Sequence, residues 1–354
     1  MKKRFFTSES VTSGHPDKVC DYIADSILDE AIRQDPYSHM AVEATIKDDL
    51  ILVYGEANTK ADLDYEAIAL NAIREIGYKE EYHVETKVNK QSAEINDAVA
   101  HDEISAGDQG IMFGYADDET EEYMPFAINC AHKLARQLEK VRREDARLMP
   151  DGKTQVTVEY DDGKLARIDA IVVSTQHTKD ITQEELHELI KEKVIDPIVD
   201  KKYIDENTKY LINPSGSFVL GGSWGDSGTT GRKIVVDTYG GYAPIGGGCF
   251  SSKDPTKVDR SAAYYARYVC RHIVANGLAH KCQLELSYAI GKANPLSVTI
   301  DTFGTSKYSD DELLDIINKN FDFSVSNIIK ELDLRRPIYK ETTNYGHFGK
   351  ANLA

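Results

Sequence analysis

The chain repeats one arrangement of apolar and polar positions three times. An alternating stretch, a polar turn and a second alternating stretch lead into an amphipathic segment headed by a threonine. The first copy runs over residues 40–47, turns at Asp48-Asp49, continues over 50–57 and enters a helix over 59–76. The second covers 154–160, a turn at Asp161-Asp162-Gly163, 164–174 and a helix over 178–194. The third covers 283–290, a turn at Lys292-Ala293-Asn294, 296–303 and a helix over 305–321. In Val156-Thr157-Val158-Glu159-Tyr160 the apolar positions alternate with polar ones, so the strand sets one face on a core and leaves the other polar. Leu186, Leu189, Ile190 and Val194 follow spacings of three and four, the mark of a helix with one buried stripe. A further helix precedes each hairpin, over 16–34, 125–143 and 255–276. The pattern predicts an α+β fold of three similar α/β subdomains around a pseudo-threefold axis, with mostly antiparallel or mixed sheets and helices on one face.

Two features of the leading helices need a reading. The first carries Asp17, Asp21, Asp25 and Asp29 at i, i+4 spacing. A functional role is expected for Asp17 and a solvated acidic face for the other three. On the third, Tyr264, Tyr265 and Tyr268 are expected to be packing residues.

Composition narrows the function. The chain has 354 residues, 41% hydrophobic, enough for two or three subdomains. Its 59 acidic and 42 basic residues give a formal charge of −17, which argues against nucleic acid as a partner. Five cysteines without CxxC or Cys/His spacing fit a reduced compartment. Met1-Lys2-Lys3-Arg4-Phe5-Phe6 runs straight into Thr7-Ser8-Glu9-Ser10, leaving no apolar core for a signal peptide, and no run is long enough to span a bilayer. The expectation is a cytoplasmic protein with no membrane contact.

Gly14-His15-Pro16-Asp17-Lys18 and the stretch from Gly246 to Asp259 both place a proline, a lysine and a carboxylate where a helix starts. Proline suits the first helical position, and a helix N-terminus offers N–H groups and a positive dipole end to an anion. Asp17 and Asp259 are therefore candidates for Mg²⁺, and Lys18, Lys253 and Lys257 for phosphate oxygens. Neither Gly228-Thr229-Thr230-Gly231-Arg232-Lys233 nor Gly246-Gly247-Gly248 fits a Walker A loop, so a polyphosphate would be held by another design.

A third segment, Ala106-Gly107-Asp108-Gln109-Gly110, joins these two in a set that resembles the signatures of S-adenosylmethionine synthetases. The likeness extends to Thr7-Ser8-Glu9-Ser10-Val11, Lys90-Gln91-Ser92, Asp226 to Lys233, Val236-Asp237-Thr238-Tyr239-Gly240-Gly241 and Pro337-Ile338-Tyr339-Lys340-Glu341-Thr342, and so runs over about residues 5–349. It implies an N-terminal domain over 3–99, a central domain over 104–219 and a C-terminal domain over 221–347, interleaved in space. It implies that the methionine sulfur attacks C5′ of ATP and that the released triphosphate is hydrolysed to phosphate and pyrophosphate. A thioether needs no deprotonation, which accounts for the lack of a nucleophile–base relay.

The resemblance also assigns residues. His15, Lys153, Arg232 and Lys253 are implied as catalytic. Asp151, Ser217, Phe218, Asp226, Lys233 and Cys249 join them in holding ATP, with Phe218 stacking on adenine. Glu56, Gln91, Asp108, Asp226 and Lys257 match methionine contacts, and residues 91–101 a lid. Asp17 and Asp259 match ligands for two Mg²⁺ per site, and Glu43 a K⁺ ligand. Cys249 and Ser252 stand where alanine and glycine are usual. The implied assembly is a homodimer with shared active sites, arranged as a dimer of dimers. Rival readings are a Mg²⁺-dependent triphosphatase of the same fold and a non-catalytic nucleotide-binding subunit; Glu56, Gln91 and Lys257 speak against the first, His15 and Lys253 against the second.

Overall fold

The computed structural model describes residues 3–90 and 104–350. Three hairpins form where the alternation places them: β2 (His39–Lys47) with β3 (Leu50–Asn58), β6 (Leu148–Asp161) with β7 (Lys164–His177), and β10 (Lys281–Tyr288) with β11 (Ser297–Asp301), each pair antiparallel. The leading helices are α1 (Pro16–Gln34), α3 (Phe126–Glu144) and α5 (Val258–Ala275). Following the hairpins come α2 (Tyr65–Ile76), α4 (Gln183–Ile190) and α6 (Asp310–Asn320), with α7 (Val325–Glu331) near the end.

Each sheet gains a third strand from a distant part of the chain. Strand β1 (Lys3–Val11) pairs with β6, β5 (Gly110–Asp117) with β10, and β9 (Gly228–Thr229) with β2, all antiparallel. Every leading helix thus follows a strand given to the next unit, and the third gives to the first. Two parallel additions that the alternation does not reveal, β4 (His83–Asn89) on β3 and β8 (Lys209–Ile212) on β7, make the sheets mixed.

Three apolar clusters lie between sheets and helices, centred on Ile23, Ile27 and Val53; on Leu134, Val156 and Ile171; and on Ala262, Val269 and Leu284. Of the tyrosines, Tyr265 is buried, and Tyr264 and Tyr268 lie partly buried against the third cluster. The trailing helices begin later than the sequence reading places them. Their caps are Asp64, Thr182 and Ser309, whose side chains accept the N–H of Ala67, Glu185 and Glu312. Thr182 and Ser309 complete capping boxes, which outcompete the upstream threonines. After Ile190 the helix loosens into a π turn over Lys191–Ile195.

The acidic face of α1 is not solvated. Asp21 and Asp25 are 0% exposed and Asp29 is half-buried. Asp25 accepts from both terminal Arg260 guanidinium nitrogens at 2.8 Å, from the Ser251 and Thr343 hydroxyls at 3.0 and 2.8 Å and from the Ser252 N–H at 3.0 Å. Asp29 accepts the N–H groups of Tyr339 and Lys340. Cations and donors from residues 251–260 and 339–343 turn what looks like a surface stripe into an interior ladder. Among the described residues no helix is long and apolar enough to cross a membrane.

Candidate active site

Gly14 brings the start of α1 against β6: a Cβ there would lie 2.3 Å from the Pro150 carbonyl oxygen, an approach only glycine permits. His15 caps α1, its Nδ1 accepting the Asp17 N–H at 3.2 Å, and Pro16 follows in the first helical turn. With Nδ1 accepting, the ring proton sits on Nε2. Burial, then the charges of Lys233 and Lys153, bring the His15 pKa down to about 3. The ring is therefore neutral at physiological pH and carries one N–H donor.

Asp17 accepts Lys233 Nζ at 2.6 Å and the Thr229 N–H at 3.0 Å, with Arg232 Nε at 3.8 Å. Burial pushes its carboxyl upward, but the Lys233 and Thr229 hydrogen bonds prevail and hold it below the ordinary value. Asp151 is buried and accepts the Gly222 N–H at 2.8 Å; burial raises its pKa to about 6. Lys153, Asp226 and Arg232 are exposed. Phe218 is half-buried beside exposed Ser217, its N–H donated to His177 Nε2 at 3.0 Å.

The second group gathers at the start of α5. Lys253 pairs with Asp259, and the Gly246-Gly247-Gly248 run makes that possible, since a Cβ on Gly248 would lie 2.2 Å from Asp259 Cγ. An antiparallel bridge between Lys253 and Ala41 sets the segment on β2, where Ala41 stands in register with exposed Glu56. Glu43, two residues along, accepts the Tyr54 hydroxyl at 3.3 Å. Lys257 stands at the residue before α5 without capping it, its Nζ 3.9 Å from Asp254, while Gly107 of the Ala106–Gly110 loop donates its N–H to the Thr256 carbonyl at 3.2 Å. Asp108 is exposed beside it. Cys249 is half-buried; burial raises its thiol pKa to about 11, so it is a small packing group and not a thiolate.

Gln91 and residues 91–101 lie outside the described residues. Lys18 requires a correction. It is 1% exposed, held between Asp21 (3.0 Å) and Asp237, and cannot face a phosphate. The Thr229 N–H, Asp21 and Asp237 are neighbours of the site that sequence reasoning missed, although they lie in or beside the matched segments. Ser252 sits at φ +80°, left-handed backbone that favours glycine, which gives the unusual serine there a physical cost.

Among the described residues no cluster of three or more His, Cys, Asp and Glu could cage a metal. Asp17 and Asp259 nonetheless fit a hard divalent cation, because such an ion takes one or two carboxylates and fills its remaining positions with phosphate oxygens and water. Each stands beside lysines suited to the same phosphates.

Comparison with known proteins places this geometry in a family. The models for the N-terminal, central and C-terminal domains of S-adenosylmethionine synthetase match residues 3–102, 103–218 and 220–354. A protein of Clostridium tetani (strain Massachusetts / E88), an S-adenosylmethionine synthase, is 51% identical over an alignment of 373 positions that covers 99% of this chain and 95% of the relative.

Proposed function

This chain belongs to the S-adenosylmethionine synthetase family, and on that premise we propose that it joins ATP and L-methionine into S-adenosylmethionine and hydrolyses the triphosphate to phosphate and pyrophosphate. The observation that carries the reading is His15: buried at the N-cap of α1, with Nδ1 engaged by the Asp17 N–H so that Nε2 is left to donate. A methionine sulfur lone pair forms the bond to C5′ as the C5′–O5′ bond breaks, and the electron pair leaves on the triphosphate. His15 Nε2–H donates a hydrogen bond to that oxygen as its charge grows. Lys153, Arg232, Lys233 and Lys253 meet the remaining charge as cations that stabilise the leaving triphosphate.

Phe218 stacks on adenine, with Ser217, Cys249, Asp151 and Asp226 around the nucleotide. Asp108 takes the methionine amino group, Lys257 its carboxylate, and Glu56 and Gln91 complete that subsite. Asp17 and Asp259 would hold two Mg²⁺, whose charge, when bound, offsets that of the triphosphate oxygens. Glu43 would hold K⁺, and Glu43→Gln should weaken K⁺ activation at saturating Mg²⁺; an unchanged K⁺ titration would make Glu43 structural.

The His15 group and the Lys253–Asp259 group form separate ion-pair clusters in one chain, which supports pockets shared between two antiparallel subunits of a homodimer, itself arranged in a dimer of dimers. The free state of all five cysteines supports a cytoplasmic setting. Incubating the purified protein with ATP, methionine, Mg²⁺ and K⁺ and resolving products by mass tests the activity, and absence of S-adenosylmethionine refutes it. Co-expressing differently tagged His15→Ala and Lys257→Ala chains tests the sharing: mixed dimers should regain activity through one intact pocket, and inactive mixed dimers would place both groups of a pocket on one chain.

A further inference from the structure

We infer that Lys18, Asp21 and Asp237 form a buried clamp that positions Arg232 and Lys233 against His15, a role that rests on the function proposed above. The three side chains lie 1%, 0% and 1% exposed. Lys18 Nζ donates to Asp21 Oδ2 at 3.0 Å and to Asp237 Oδ1. The other Asp21 oxygen accepts the N–H of Gly231 at 2.8 Å, immediately before Arg232. Asp237 closes the helical turn Ile234–Asp237 immediately after Lys233, and its carbonyl accepts the His347 N–H at 3.0 Å. Two residues of α1 thus hold both ends of the segment that carries the two cations, Asp21 at Gly231 and Lys18 at Asp237, one turn from the His15 cap on the same helix.

The arrangement has the marks of a geometric device. Two carboxylates and one ammonium are costly to desolvate, and well-packed apolar side chains often stabilise as much. The clamp also works on a backbone with little room to adjust. Gly231 stands at φ +80°, and a Cβ there would lie 2.6 Å from that of Cys249. On the near side, the Asp17 carboxylate holds the Thr229 N–H and Lys233 Nζ, so the segment is fixed from α1 at three successive points. The Asp237 N–H donates to the Lys233 carbonyl at 2.9 Å, so Lys18 and Asp237 act through the backbone that carries Arg232 and Lys233 and are positioning residues.

The variant Asp237→Asn keeps the Lys18–Asp21 pair and the side-chain shape, so it should fold. With the purified full chain, saturating ATP and methionine, Mg²⁺ and K⁺, kcat should fall about 10- to 100-fold, the cost of a displacement near 1 Å at a catalytic group. The methionine KM should change by no more than about twofold, because the clamp acts on the phosphate cations. Titration with inorganic triphosphate and Mg²⁺ should show about tenfold weaker binding. In a Lys233→Ala background, adding Asp237→Asn should cost less than about threefold, since residues acting as a unit are not additive. Wild-type kcat and triphosphate affinity in Asp237→Asn, or the same fold-loss in both backgrounds, would overturn the clamp. A wild-type chain that binds triphosphate but makes no S-adenosylmethionine would overturn the proposed activity, while the triphosphate titration still scores the clamp.

Discussion

Asp17 and Asp25 stand on one face of α1, two turns apart, and differ in what answers their charge. Asp25 is sealed: the Arg260 guanidinium, two hydroxyls and a backbone N–H converge on it from residues 251–260 and 343, with nothing exposed. Asp17 meets Lys233, 17% exposed, and Arg232, 57% exposed. Identical residues at helical spacing thus serve different ends according to whether the partner is rigid and dry or long, flexible and reachable from solvent. A carboxylate of the first kind locks segments together. One of the second kind can accept a new neighbour when an anionic substrate draws the lysine and arginine away.

The comparison can be broken most directly at Asp25. Asp25→Ala leaves the Arg260 charge buried without its partner and should cost about 3–5 kcal/mol of stability, while Asp25→Leu combined with Arg260→Met should recover most of it. Urea denaturation measures both, and a loss under about 1 kcal/mol would show that the ladder is dispensable. At the open end, Arg232→Ala or Lys253→Ala should lower the rates of S-adenosylmethionine formation and triphosphate hydrolysis by about two to three orders of magnitude, with little change in melting temperature. Wild-type rates in both assays would remove these cations from the site.

Asp29 supplies an intermediate case. Burial raises its pKa to about 6, against the opposing pull of the Lys340 and Tyr339 N–H groups. A raised carboxyl pKa means that the folded state binds the proton more tightly than the unfolded state. Its contribution is therefore most favourable below the unfolded value near 4 and is lost as pH rises through about 6. Replacing Asp29 with Asn should flatten stability over that window by on the order of 1–2 kcal/mol, since solvent screens part of the effect. Denaturation midpoints at pH 4 and pH 7 for both proteins decide it, and parallel curves would refute the assignment. The smallest effect is expected at Ser252. Ser252→Gly relieves the left-handed backbone and keeps the N–H to Asp25, for a gain of about 0.5–1 kcal/mol after the greater freedom of glycine in the unfolded chain. A thermal midpoint at or below that of the parent would show that the serine hydroxyl offsets the strain.

The hairpins and leading helices were legible in the sequence because periods of two and 3.6 are local signals. Thr182 with Glu185 and Ser309 with Glu312 carry the capping-box spacing in the sequence, whereas Thr178 and Thr305 are followed three residues on by Ile181 and Tyr308, so a reading led by the first threonine of each segment starts the helix too early. The burial of Asp21, Asp25 and Asp29 was not legible, because groups that neutralise or cap them lie as far away as Gly231, Arg260 and Lys340. Lys18 misled for the same reason: next to Asp17 in sequence, it points inward to Asp237. Family likeness supplied candidate site residues such as Lys153, which composition alone reads as a turn lysine, but not the tautomer of His15 or the depressed carboxyl of Asp17.

The rotation of strands among the three units bears on how the chain is made. As it leaves the ribosome, β2 has an open edge until residues 228–229 arrive, and β6 can be covered at once because β1 was synthesised first. Strand β5 waits for β10, some 160 residues later. Exposed edges invite pairing with the wrong chain. A nascent chain stopped before the third unit therefore holds two unfinished sheets, and cutting at a boundary between units would leave each piece without a strand it needs. The ring closes only when nearly the whole polypeptide is present, so assembly is favoured late and all together, and protection from premature association becomes part of what the sequence must supply.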